Sequence, residues 1–159
     1  MRALVIGIAA AAFACGIAYA HHSRDVDWHY YGEDGANSAF YGVPNSGDFA
    51  ISLSCEKPGR IKLEMPFASD EIGNRKAGAK VTFTVLFDLP EGERKQVKVT
   101  GTVVIIESEG DLIETVVPAN HPIVNTLAKS EAFAMGTAST WFTLEGAKEV
   151  VTTMLERCR

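Results

Sequence analysis

Apolar and polar residues alternate along most of the chain after residue 28, and the apolar members are mainly Val, Ile, Leu and Phe. A period of two is typical of half-buried antiparallel strands, because successive side chains of a strand point to opposite faces of the sheet. The clearest alternating segments are residues 49–55, 61–65, 81–87 and 97–105. Gly101 lies inside the last of them, which indicates a bulge or a close backbone approach. The pattern predicts about seven or eight antiparallel strands, arranged as a curved sheet or a β-sandwich.

The last third of the chain departs from this alternation. Pro122 favours a short helix through about Lys129, because proline is tolerated in a first helical turn. A last strand is predicted from Thr137 to Leu144. Beyond it, apolar residues recur at steps of three and four: Ala147, Val150, Val151, Met154, Leu155 and Cys158. The predicted fold class is therefore mainly β, a sandwich-like antiparallel sheet with a short helix and an amphipathic C-terminal helix.

Residues 1–20 have the pattern of a secretory signal peptide. Arg2 is followed by an apolar run from Ala3 to Ile17 and then by Ala18-Tyr19-Ala20, a small-residue cleavage motif. The run is shorter than the roughly 20 residues that cross a bilayer as a helix. We expect cleavage after Ala20, and export of residues 21–159 to the periplasm or out of the cell as a single β-rich domain.

Two of the three cysteines remain after such cleavage, since Cys15 lies in the signal segment. Oxidising compartments let disulfides persist, so Cys55 and Cys158 are expected to pair. Both also fall on the apolar side of their predicted elements. A redox-active or metal-binding pair is the alternative, but the close C-x-x-C spacing is absent.

The charge and hydropathy of the chain limit the classes of partner that we expect. The formal net charge is −5 at pH 7, and Lys and Arg are scattered rather than clustered. Nucleic-acid binding needs a concentrated basic face, so it is not expected. No second apolar segment reaches membrane length, so stable membrane insertion after cleavage is not expected either.

An aromatic segment near the mature N-terminus is the candidate contact surface. Tyr and Trp are enriched at interfaces because they combine apolar area with one polar group, and this segment interleaves aromatic residues with glycines and polar turn residues. A peptide, a glycan or another envelope protein is the expected partner. The predicted partner-binding residues are Tyr30, Tyr31, Phe40, Tyr41 and Asn45. The alternative is that these rings belong to the core.

Histidines support two further hypotheses. The mature N-terminus would begin His21-His22, and with His29 these imidazoles could bind copper or zinc. His121, just before Pro122, is a conceivable base for a small hydrolase with an unrecognised site. The sequence contains no nucleophile elbow, phosphate-binding loop or zinc-protease motif. No catalytic residue, cofactor or metal is therefore assigned.

Several features together resemble a group of uncharacterised bacterial exported proteins. They are the signal segment, the early Trp28, the turn at residues 41–46, a strand ending in Cys55 and the ending from Phe142 to Cys158. The ending is also similar to the invasion-associated locus B family, although the cysteines of that family close after the early Trp are absent here. The resemblance implies a periplasmic β-sandwich-like module without a catalytic site. The expected function is a non-enzymatic binding or accessory protein.

Overall fold

The computed structural model describes residues 26–32, 37–44, 46, 48–66, 76–106, 110–135 and 141–159. The described residues form nine strands, two α-helices and one short 3-10 turn at Pro90–Gly92. The strands are β1 (Asp27–Tyr31), β2 (Ser38–Gly42), β3 (Phe49–Lys57), β4 (Arg60–Pro66), β5 (Lys80–Asp88), β6 (Arg94–Ile106), β7 (Gly110–Pro118), β8 (Ala132–Met135) and β9 (Phe142–Thr143). The helices are α1 (Pro122–Leu127) and α2 (Ala147–Arg157). The prediction of a mainly β fold with a short helix and a C-terminal helix is confirmed.

All nine strands belong to one antiparallel sheet in the order β1-β2-β3-β4-β7-β6-β5-β8-β9. The long strand β6 joins the two halves of the sheet, which are β1-β2-β3-β4-β7 and β5-β8-β9. It pairs with β5 from Arg94 to Thr102 and with β7 from Thr102 to Ile106. The sheet is curled. The ring of Tyr41 in β2 consequently lies 6.2 Å from the ring of Phe142 in β9, although the two strands are far apart in the sheet order.

Gly101 lies where β6 changes partners. An added Cβ there would collide with Cγ2 of Ile113 and would lie 2.8 Å from the backbone oxygen of Glu114. The close backbone approach expected from the sequence is confirmed, and the strand register shows no bulge at this residue.

One hydrophobic core lies inside the curl, and both helices contribute to it. Helix α2 packs against β1, β2 and β3, whereas α1 packs against β5 and β6. The largest fully buried side chains are Phe87, Phe133, Ile51, Leu53, Ile61, Leu63, Met65, Ile113, Ile123, Leu127, Met154 and Val85. Within the described part of the chain, no helix is long and apolar enough to cross a membrane.

The C-terminal strands differ from the prediction. Strand β8 was not expected, because its sequence Ala-Phe-Ala-Met has no polar alternation and three of its four residues are buried. Of the strand predicted from Thr137 to Leu144, the structure forms Phe142–Thr143, and residues 137–140 lie outside the described residues. The first helix ends at Leu127, two residues before the predicted end.

The predicted disulfide is present. Cys55 in β3 is bonded to Cys158, which follows α2 directly, with the two Cα atoms 5.5 Å apart. The backbone amide of Gly59, in the turn between β3 and β4, also donates to the oxygen of Cys158 at 2.7 Å. The C-terminal end is thus attached to one end of the β3–β4 hairpin by a covalent bond and a hydrogen bond.

Candidate functional site

The β1–β2 hairpin places the predicted contact residues on opposite faces of the sheet. Its register pairs Trp28 with Tyr41 and His29 with Phe40. Because side chains alternate along each strand, Trp28, Tyr30 and Tyr41 point to the core, whereas His29, Tyr31 and Phe40 point outward. Asn45 lies outside the described residues. The aromatic segment therefore divides into a structural half and an outer half.

The inward tyrosines connect the hairpin to the rest of the molecule. Tyr41 is only 6% exposed, and its ring lies 5.8 Å from that of Trp28. The hydroxyl of Tyr30 donates to Oδ1 of Asn37 at 3.0 Å, and Nδ2 of Asn37 donates to the backbone oxygen of Met154 at 2.9 Å. The guanidinium of Arg157 lies 5.2 Å above the Tyr30 ring. Tyr30 thus contributes to fixing α2 against the hairpin.

The outward residues form what we call the outer aromatic surface, made of His29, Tyr31 and Phe40. The rings of Tyr31 and Phe40 are stacked, with centroids 5.3 Å apart and planes 10° apart, and His29 lies 5.2 Å from Phe40. Tyr31 is 41% exposed. Among the described strands, β1 lies at one edge of the sheet, so this surface lies at that edge.

A cavity of about 350 Å³, here called the end cavity, opens where the two halves of the curled sheet face each other. Its walls are mainly apolar, with a tyrosine and a single carboxylate among them. The lining residues are Val26, Tyr41, Gly42, Val43, Asp48, Phe49, Ala50, Pro66, Met135 and Phe142. Small-molecule and side-chain pockets have this composition, an apolar wall with few polar groups. Sequence periodicity could not reveal it, because β2, β4, β8 and β9 contribute to it together.

A second, more polar depression adjoins the end cavity through Val26. This side groove has a volume of about 390 Å³ and is lined by Val26, Asp27, Thr143, Glu145 and Gly146. One oxygen of Asp27 accepts the backbone amide of Trp28 at 2.7 Å. Burial raises the pKa of the Tyr41 hydroxyl, and the negative charge of Asp27 raises it further. Tyr41 therefore remains neutral at neutral pH.

No protein-family model, curated protein or solved structure matches this chain.

The copper- or zinc-binding hypothesis involves His21, His22 and His29. His21 and His22 lie outside the described residues. Among the residues that are described, no three His, Cys, Asp or Glu side chains come together as a metal site. The Nε2 atom of His29 is buried and has no hydrogen-bond partner in the described part of the chain.

His121, the conceivable catalytic base, is the N-cap of α1. Its Nδ1 atom accepts the backbone amide of Ile123 at 3.3 Å, which satisfies one of the free donors at the helix start. Burial lowers the pKa of this imidazole from its ordinary value of 6.5. A neutral ring is required for the cap, because protonation of Nδ1 would remove the acceptor.

This cap makes stability depend on pH. Because the pKa of His121 is lower in the folded protein, the unfolded chain takes up the proton first as the pH falls through 6.5. The free energy of unfolding should therefore decrease on acidification until the folded imidazole is also protonated. Replacing His121 with Asn, which also caps helices well, should make the decrease between about pH 7 and pH 5 shallower. Urea denaturation at several pH values measures this, and an unchanged slope in the variant would contradict it.

Proposed function

We propose that the protein is a non-enzymatic binding or accessory protein of the bacterial envelope, exported to the periplasm or secreted, that holds another envelope protein on its outer aromatic surface. The signal-peptide pattern of residues 1–20 supports export. The disulfide between Cys55 and Cys158 suits an oxidising compartment. The resemblance to bacterial exported proteins points to the same location.

The observation that carries this proposal is the stack of Tyr31 on Phe40 at one edge of the sheet that the described strands form. Aromatic side chains on a protein surface supply large apolar area at low conformational cost, and they are enriched in interfaces. The inner face of the same hairpin already buries Tyr41 in the core. On the outer face, Tyr31 stays 41% exposed, whereas Phe40 and His29 are half-buried.

Polar side chains border the outer aromatic surface on the next strand. Phe40 is paired with Ser52 and Ser38 with Ser54, and both serines of β3 alternate with buried residues. Their hydroxyls therefore face the same side of the sheet as the aromatic rings. An apolar centre with a polar rim is the usual arrangement of a protein interface.

Site-specific photo-crosslinking in the native host tests this proposal. A crosslinking amino acid at position 31 should trap one envelope protein. The same amino acid at Thr82, an exposed residue of β5 in the other half of the sheet, should not trap it. Equal products at both positions, or none at position 31, would contradict the proposal.

Substitutions then measure the contribution of the rings. Replacing Tyr31 and Phe40 together with alanine should weaken binding of the trapped partner at least tenfold, because interface aromatics often account for 2 kcal/mol or more, on the order of a thirtyfold effect. Ser54→Ala is a control at the rim and should change affinity little. Affinity is measured by calorimetry, and a thermal melt of each variant verifies folding.

A further inference from the structure

The end cavity and the side groove lie next to each other, because Val26 lines both, and we treat them together as one site. The site lies apart from the outer aromatic surface, on the side where β2 and β9 face each other. The cavity is apolar, whereas the groove exposes mainly polar atoms. An occupant must therefore combine an apolar group with a polar group beside it.

Every charged side chain among the described residues that line the site is a carboxylate. Asp48 belongs to the wall of the cavity, and Asp27 and Glu145 belong to the groove. No Lys or Arg is among the described residues that line either space. In the described part of the chain, none of these three exposed carboxylates forms an ion pair. These carboxylates would attract a positively charged ligand and repel an anion.

The size of the cavity limits the apolar group. Sites for small molecules span about 300–1,000 Å³, so a cavity of about 350 Å³ lies at the small end. That volume suits one aromatic or branched aliphatic side chain better than a long acyl chain. The side chains of Phe142 and Tyr41, which line the cavity, would contact it.

We propose that this site binds an extended basic peptide segment, with one apolar side chain in the end cavity and an adjacent Lys or Arg side chain against Asp27 and Glu145. The segment belongs to a partner chain. The two contacts have different roles. The apolar side chain in the end cavity fixes the position of the segment, and the carboxylates favour a positively charged residue next to it.

Fluorescence anisotropy with a labelled pentapeptide, Gly-Lys-Phe-Lys-Gly, tests the proposal on the oxidised protein. We expect saturable binding that weakens as salt is raised, because the carboxylates are exposed and screened. Replacing the Phe of the peptide with Ala should weaken binding roughly tenfold, since one large apolar side chain is then not buried. Replacing its lysines with glutamates should abolish binding.

Protein variants assign the binding to this site. Asp27→Asn combined with Glu145→Gln should weaken peptide binding about three- to tenfold, as expected for two exposed charge pairs. Glu56→Gln combined with Glu156→Gln, two exposed carboxylates outside the cavity and the groove, removes the same two charges and is the matched control for net charge. Val26→Arg should weaken binding further than Val26→Gln, because it places a positive charge between cavity and groove.

Several results would overturn the proposal. They are equal binding of the Ala-containing peptide, equal weakening by Glu56→Gln with Glu156→Gln, or equally tight binding of the free amine phenethylamine, which would indicate a small-molecule site. Crosslinking from position 31 distinguishes this site from the proposed function, because Asp27→Asn with Glu145→Gln should leave that crosslink unchanged.

Discussion

Replacing Tyr41 with alanine should lower the free energy of unfolding by about 3–5 kcal/mol, the range for large aromatic side chains in cores. The ring is 6% exposed and packs between Trp28 and Phe142, so it connects the first strands to β9 across the interior. Its removal would enlarge the end cavity and expose the core there. Urea denaturation followed by tryptophan fluorescence measures the loss.

Phe40 is the matched control, because it is the preceding residue of β2 and points to the opposite face. Phe40→Ala should lower the free energy of unfolding by only about 1 kcal/mol, because it removes mainly the contacts with Tyr31 and His29. Tyr41→Phe keeps the ring and should cost less than Tyr41→Ala. Similar losses for Phe40→Ala and Tyr41→Ala would contradict the assignment of the two faces.

The variant in which Cys55 and Cys158 are both alanine should be about 2–5 kcal/mol less stable than the oxidised protein, the usual effect of removing a native disulfide. The bond closes a loop with a sequence separation of 103 residues. Chain-entropy estimates for a loop of that length are about 4–5 kcal/mol. The reason is that the unfolded chain regains the freedom that the bond removes.

Reduction provides the control for this second prediction. The wild-type protein in reductant should unfold at the denaturant concentration of the double variant, and the variant itself should not respond to reductant. An oxidised wild type no more stable than the variant would show that the bond does not stabilise the fold. The hydrogen bond from Gly59 to Cys158 is retained in the variant, since both of its atoms are backbone atoms.

Strand positions and the disulfide followed from local information. Ile51 and Leu53 were placed inward by alternation, and both are fully buried. Such inferences succeed because a strand's period of two is a property of its own backbone. The cysteine pairing needed only the elimination of Cys15 and the apolar sides of two elements.

The local pattern could not predict which aromatic residues of the β1–β2 hairpin point to the core and which point outward. Residues 28–31 and 40–41 are nearly all aromatic, so they carry no polar marker for the outer side. Tyr31 and Tyr41 look equivalent in the sequence, yet one is 41% exposed and the other 6%. Long-range packing makes the difference, because α2 and β9 cover only one face of the hairpin.

The chain's local pattern thus specified a β-rich fold, two helices and the disulfide between Cys55 and Cys158, since periodicity and side-chain chemistry act within each element. Long-range packing specified the stack of Tyr31 on Phe40, the end cavity and the carboxylates beside it. These features bring together residues as distant in sequence as Val26 and Phe142. Their relative position depends on how the sheet curls, which is a property of the whole core.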